Sequence, residues 1–157
     1  MTTRSHAEPD GRVRVLLVDD HKAMLARSAD VLRATCVIVG TATNGPDAID
    51  AARTLSPDVI VLDISMPGMN GLEVAAALRD EGSKAAILFL SMHDGDDFLA
   101  VARAVGGIGF VTKTRLGSDL VHAVREASAG RPFISSRTPD APRTRARAKI
   151  GKAESDP

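Results

Sequence analysis

Asp19, Asp20 and Asp63 each stand at the end of an apolar run. Val13-Arg-Val-Leu-Leu-Val18 closes on Asp19-Asp20, and Asp58-Val-Ile-Val-Leu-Asp63 passes directly into Ile64-Ser-Met-Pro-Gly-Met-Asn-Gly71. A buried strand that delivers a carboxylate to a Pro/Gly-rich loop positions it for chemistry or for capping. Two further runs lead to Ser91 and, through Thr112, to Lys113. If these strands lie side by side, three carboxylates meet one hydroxyl and one ammonium. Carboxylates crowded together raise one another's pKa, and a hard divalent ion with oxygen ligands, such as Mg²⁺, relieves the repulsion. Lys113 and Ser91 supply donors for an anion, so a phosphoryl group between metal and Lys113 satisfies both halves of the cluster. A carboxylate nucleophile in such a site gives an aspartyl phosphate.

The elements that must bring these residues together are legible as five short apolar runs: Val13 to Val18, Cys36 to Gly40, Val59 to Leu62, Ala86 to Leu90, and Ile108 to Val111. They are continuous rather than alternating, the pattern of strands covered on both faces of a parallel sheet. Between them lie segments of helical period: Met24, Leu25, Ser28, Val31, Leu32; then Phe98, Ala102, Val105; then Leu116, Leu120, Val121, Val124. Helix starts are expected at Asp19 or Asp20, at Asn44-Gly-Pro46, at Asn70-Gly71 and at Asp94. Five βα units with right-handed crossovers give an α/β doubly wound three-layer sandwich. Ligands of such sheets sit beyond the carboxyl ends of the strands, where Asp19, Asp20, Asp63, Ser91 and Lys113 fall.

The chain has 157 residues and a formal net charge of zero. Residues 1–136 carry 14 Lys/Arg against 17 Asp/Glu, and 137–157 carry six against three, so a mildly acidic body precedes a basic tail. Cys36, the one cysteine, excludes an intrachain disulfide and reads as a reduced core residue. The first residues, Met1 to Arg12, lack the apolar segment of a signal peptide, and no apolar stretch approaches the roughly 20 residues that span a bilayer. A cytoplasmic protein without membrane contact is expected. From Ser135 onward the periodicity stops, and the Pro-containing, charged stretch to Pro157 reads as a disordered tail.

The motifs Val-Leu-Leu-Val-Asp19-Asp20-His21, Val-Leu-Asp63-Ile-Ser-Met-Pro-Gly-Met-Asn-Gly71, Ile-Leu-Phe-Leu-Ser91-Met-His-Asp94 and Gly109-Phe-Val-Thr-Lys113 resemble a CheY-like response-regulator receiver domain. The wording is most similar to the LuxR/NarL-type subfamily, whose members usually carry a helix-turn-helix output domain. The resemblance implies a flavodoxin-like (βα)5 fold with strand order 2-1-3-4-5. The resemblance covers a receiver domain over 12–132, and the flanks are expected to be a disordered leader over 1–11 and a basic, Pro-containing disordered tail over 133–157. It further implies that Asp63 accepts a phosphoryl group from a sensor histidine kinase. Asp20, Asp63 and the Ser65 backbone carbonyl would bind Mg²⁺ directly, with Asp19 acting partly through water. Lys113 would pair with the phosphoryl group, and Ser91 and Phe110 would form a switch pair. Output would run through protein contacts, with homodimerisation on the face of the fourth helix, fifth strand and fifth helix, and with transcription regulation as one outcome. The domain would be a phosphoacceptor and not an enzyme in the usual sense.

The chain departs from the family pattern in three places. The switch aromatic is Phe110 rather than Tyr, Thr114 follows Lys113 where many receivers have Pro, and no DNA-binding helices follow Ser136, so direct DNA binding has no support in these residues. Two other readings remain open at this point. One is a phosphorylation-independent adaptor. The other is a dehalogenase-superfamily-like phosphatase, which normally carries a second acid two residues after its nucleophile, where this chain has Ser65. His21 and His93 read as polar rim or capping residues, Met66, Met69 and Met92 as adaptable packing at the mouth of the site, and Arg143 to Lys149 as a solvated linker.

Overall fold

A computed structural model describes residues 11–92 and 99–135. The elements run β1 (Val13–Val18), α1 (Lys22–Leu32), β2 (Cys36–Ala42), α2 (Gly45–Leu55), β3 (Val59–Asp63), α3 (Gly71–Asp80), β4 (Ala86–Ser91), α4 (Leu99–Ala104), β5 (Gly107–Thr112), a 3-10 turn (Lys113–Arg115), α5 (Leu116–Ser128) and β6 (Phe133–Ile134). All strand pairs are parallel, in the order β2-β1-β3-β4-β5-β6. The expected 2-1-3-4-5 order is therefore present, extended by one strand at the β5 edge.

Successive residues of a strand point to opposite faces, and the buried side chains divide accordingly. Leu16, Val18, Ile60, Leu62, Phe89 and Phe110 join Ala48, Ala52, Val74, Leu78 and Ala102 of α2, α3 and α4 in one core. Val15, Leu17, Val59, Val61, Leu88, Leu90 and Val111 join Leu25, Leu32, Leu116, Leu120 and Val124 of α1 and α5 in the other. Helices α2 and α3 are neighbours on one side of the sheet, and α1 and α5 on the other. The two cores explain the continuous apolar runs, since neither face of a central strand meets water. Cys36 is buried in the second core, where desolvation pushes its thiol pKa up, as expected of an inert core cysteine.

Local signals set the helix boundaries. Asn44 accepts from the Asp47 amide at 2.9 Å with Pro46 in the first turn of α2. Asn70 and Glu73 form a reciprocal capping box at α3, with both hydrogen bonds at 2.9 Å. The first helix corrects the sequence reading. Its N-cap is His21, not Asp19 or Asp20, and no side chain caps it. Both aspartates are thereby left for other partners. The expected start at Asp94, together with Phe98 and His93, lies outside the described residues.

The strand β6 is the second correction. Phe133–Ile134 pairs with Gly109 and Phe110, so residues expected in the tail instead extend the sheet. Two residues carry no periodicity, and tertiary anchors fix the segment. The Ser135 amide donates to the Phe110 carbonyl at 2.9 Å, and the Ser135 hydroxyl donates to Asp119 Oδ2 at 2.7 Å while accepting from the Thr112 amide at 3.1 Å. The leader over 1–10 and the tail beyond Ser135 lie outside the described residues.

Candidate functional site

Register brings the chemistry-bearing ends together. Val18 of β1 pairs with Leu62 of β3, Asp63 with Leu90 of β4, and Ser91 with Thr112 of β5. Asp19, Asp63, Ser91 and Lys113 therefore emerge at one end of the sheet from four adjacent strands. The backbone after β3 is fixed by Ile64, whose amide donates to the Leu90 carbonyl at 3.0 Å and whose carbonyl accepts from the Gly71 amide at 2.9 Å. Gly71 permits that approach. A Cβ there would stand 2.2 Å from the Asp63 carbonyl oxygen and 2.9 Å from the Ile64 Cα. The first residue of α3 thus makes room for the backbone of Asp63.

Lys113 Nζ lies 3.0 Å from Asp19 Oδ2 and 3.2 Å from Asp63 Oδ1, with all three side chains buried. Beyond this ion pair, Asp19 Oδ2 accepts no hydrogen bond from any described residue. Asp63 Oδ1 also accepts from the Ser65 amide at 3.1 Å, whereas Asp63 Oδ2 accepts no hydrogen bond from any described residue. Asp19 Oδ1 accepts from the His21 amide at 2.9 Å. Asp20 is partly exposed, and its Oδ1 is likewise unsatisfied although His21 Nδ1 stands 3.3 Å away.

Electrostatics follow from this packing. Burial, then the neighbouring Asp19 charge, push the Asp63 pKa up to about 6, against the opposing pull of Lys113 and the Ser65 amide. Burial alone would lower the Lys113 pKa, but pairing with Asp19 and Asp63 outweighs it and holds the ammonium above its ordinary value. One ammonium does not neutralise three carboxylates. One oxygen or nitrogen from each of Asp19, Asp20, His21 and Asp63 lies within 4.8 Å of the others. Unsatisfied carboxylate oxygens in a partly buried group of this size fit a hard divalent cation.

Of the other residues expected at the site, Ser91 is buried at the end of β4, and Phe110 is buried on β5, paired in register with Phe89. Ser65 is exposed and meets Asp63 through its amide. Met66 lies in the core rather than at the mouth, Met69 packs partly buried against that core, and Met92 is exposed. Sequence reasoning read His21 as a rim or capping residue, and its exposed ring at the N-cap of α1 borders the acidic group. That reasoning missed the Ser135 anchor, with Arg115 binding Asp119 through two hydrogen bonds at 2.9 and 3.2 Å. A cleft of about 720 Å³ opens at the opposite end of the sheet among Arg53, Ser56, Asp58, Glu81 and Lys84, and shares no residue with the acidic group.

Residues 15–125 match the response regulator receiver domain family. The chain is 33% identical over 138 residues to the nitrate/nitrite response regulator protein NarL of Escherichia coli (strain K12), covering 83% of this chain and 60% of that protein. It is 33% identical over 127 residues to the transcriptional regulatory protein LiaR of Bacillus subtilis (strain 168), covering 80% of this chain and 60% of that protein. The chain thus spans about 60% of the length of these curated relatives. Among solved structures, a two-component response regulator of the LuxR family from Aurantimonas sp. SI85-9A1 superposes with a TM-score of 0.75 at 32% identity, covering 79% of this chain and 90% of that one.

Proposed function

The chain belongs to the response regulator receiver domain family, a signalling family and not a classical enzyme, and from that premise we propose that Asp63 is its phosphoacceptor, charged by a sensor histidine kinase. The observation that carries this reading is the asymmetry of the Asp63 carboxylate. Oδ1 is held by Lys113 and the Ser65 amide, while Oδ2 is buried without a hydrogen-bond partner among the described residues. The held oxygen fixes the orientation and the other keeps its lone pairs for in-line attack. The Oδ2–phosphorus bond forms as the bond from phosphorus to the donor breaks, giving an acyl phosphate on Asp63. Lys113 offers its charge to the phosphoryl oxygens, and Ser91, at the end of the adjacent strand, offers a hydroxyl. Asp20, Asp63 and the Ser65 carbonyl are the direct ligands we assign to Mg²⁺, with Asp19 acting partly through water. The ion, when bound, supplies charge neutralisation for the transferring group.

The phosphoryl group acts as a switch ligand, through its differential affinity for two conformations. We assign the switch to Ser91 and Phe110. Phe110 is buried, and its carbonyl accepts from the Ser135 amide, so a rearrangement of its backbone reaches the segment beyond α5. Homodimerisation through α4, β5 and α5 is the output we assign, and the exposed apolar Val101 of α4 and Ile134 of β6 give it side chains to bury. The domain we assign begins at residue 12 and runs through Ser135. No described helix is long and apolar enough to cross a membrane, and we place the domain in the cytoplasm.

Beryllofluoride, a phosphoryl mimic, tests this reading in the presence of Mg²⁺. Amide NMR shifts at Ser91, Phe110 and Lys113 are expected in the wild-type chain and not in Asp63→Ala. Shifts of equal size in that variant would place the acceptor elsewhere.

A further inference from the structure

His21 occupies the N-cap position of α1, with extended backbone at φ −102° and ψ 113°, but its side chain makes no capping hydrogen bond. Its ring turns instead toward the acidic group, where Nδ1 stands 3.3 Å from Asp19 Oδ1 and 3.3 Å from Asp20 Oδ1. Asp63, in a side chain only 1% exposed, contributes one carboxylate oxygen to the same group, and no described residue donates a hydrogen bond to its Oδ2. We propose that His21 Nδ1 is a nitrogen ligand of this cation site, which raises its affinity for first-row transition ions such as Mn²⁺ or Ni²⁺ while leaving that for Mg²⁺ nearly unchanged. The inference rests on the reading of the acidic group as a cation site and adds His21 to its ligands.

The geometry is close to what coordination needs. Octahedral ligands at about 2.1 Å stand at most about 4.2 Å apart across the ion. The candidate donor atoms span 4.8 Å, so a small inward rotation closes the shell. Asp20 and His21 are the members free to make it, with side chains 23% and 66% exposed, whereas Asp19 and Asp63 are held by Lys113. Nδ1 is within hydrogen-bond distance of Asp19 Oδ1. Coordination requires the Nδ1 lone pair, so the ring proton resides on Nε2 at the exposed edge of the ring. Imidazole nitrogen strengthens binding of Mn²⁺ and, more steeply, of Ni²⁺, and does little for Mg²⁺, which holds oxygen ligands and water. Lys113 does not compete as a nitrogen ligand because its charged ammonium has no lone pair.

The chain has no Trp or Tyr, so binding is read by calorimetry and magnetic resonance rather than by intrinsic fluorescence. Tag-free protein loaded with Mn²⁺ is examined by electron spin-echo envelope modulation, as wild type, His21→Ala and His21→Gln. Nitrogen modulation is expected in the wild type and absent in both variants. Calorimetric titration with Ni²⁺ is expected to weaken by at least about tenfold in His21→Ala, with Mg²⁺ affinity changed by less than about twofold. Bound Mn²⁺ without nitrogen modulation in the wild type would overturn the proposal, as would Ni²⁺ and Mg²⁺ affinities falling together. Failure of Mn²⁺ to bind the wild type, or equal binding to Asp20→Ala, would overturn the cation-site reading beneath it.

Discussion

Lys113 Nζ bridges Asp63 Oδ1 at 3.2 Å and Asp19 Oδ2 at 3.0 Å, so one buried ammonium is shared between two buried carboxylates. The sharing leaves excess negative charge in a desolvated place. Removing one negative charge at constant size should therefore strengthen the fold. In chelator-containing buffer at neutral pH, Asp63→Asn is expected to be more stable than wild type by on the order of 1–3 kcal/mol in urea denaturation. The sign follows from the raised Asp63 pKa: its contribution to stability is full below the ordinary value of 3.8 and is lost as pH rises through about 6. The advantage of the variant should grow across that window. A variant less stable than wild type at neutral pH would contradict the account.

A bound divalent cation removes the same penalty. Mg²⁺ at a hundredfold excess over its Kd should add about 2.7 kcal/mol and raise the midpoint of thermal unfolding by on the order of 5–10 °C. Asp20→Ala should lose most of that increment while folding normally, because Asp20 is the partly exposed member of the group. An undiminished cation effect in the variant would remove Asp20 from the ligands.

Gly71 tests the link between the β3–α3 loop and the site. A Cβ at this position meets the Asp63 carbonyl oxygen at 2.2 Å, and backbone has little room to yield. Gly71→Ala is expected to cost about 1–3 kcal/mol and to reduce phosphorylation of Asp63 by more than tenfold, about 1.4 kcal/mol in the barrier. Gly68→Ala is a control in open space, although its φ of +76° makes it strained in its own right. Its cost should fall on stability and leave phosphorylation largely intact. Equal loss of phosphorylation in both variants would argue against a role specific to Gly71.

The Ser135 anchor makes the end of β5 depend on a residue beyond α5. Ser135→Ala leaves the Thr112 amide without its acceptor and Asp119 without one donor, at an expected cost of about 1–3 kcal/mol. Burial alone would raise the Asp119 pKa, but hydrogen bonds from Arg115, Ser135 and Ser118 outweigh it and hold the carboxyl below the usual range. Its stabilisation is thus present above the ordinary aspartate pKa and lost as pH falls through the lowered one, opposite in sign to Asp63. Asp119→Asn should flatten the acid limb of the stability profile. A limb that keeps its slope would mean that other carboxylates set it.

Much of this was legible in the residues themselves. The five apolar runs become β1 to β5, and the acids that close two of them meet Lys113 because parallel register aligns strand ends. The capping signals Asn44 and Asn70 also hold, since they act within one turn. What escaped depends on contacts between residues far apart in the chain. Phe133–Ile134 is too short to show a period, and Ser135 is anchored by Thr112 and Asp119, 23 and 16 residues away. His21 stands exposed at the N-cap of α1, as a rim or capping residue would. A histidine before a helix reads as a cap, and only the three-dimensional arrangement shows its ring turned from the helix toward Asp19 and Asp20.

Intact mass after incubation with a small phosphodonor and Mg²⁺, on wild type and Asp63→Asn in parallel, tests the central claim most directly. One phosphoryl adduct on the wild type and none on the variant is the predicted result. An adduct of equal yield on Asp63→Asn would contradict it and place the acceptor on another residue.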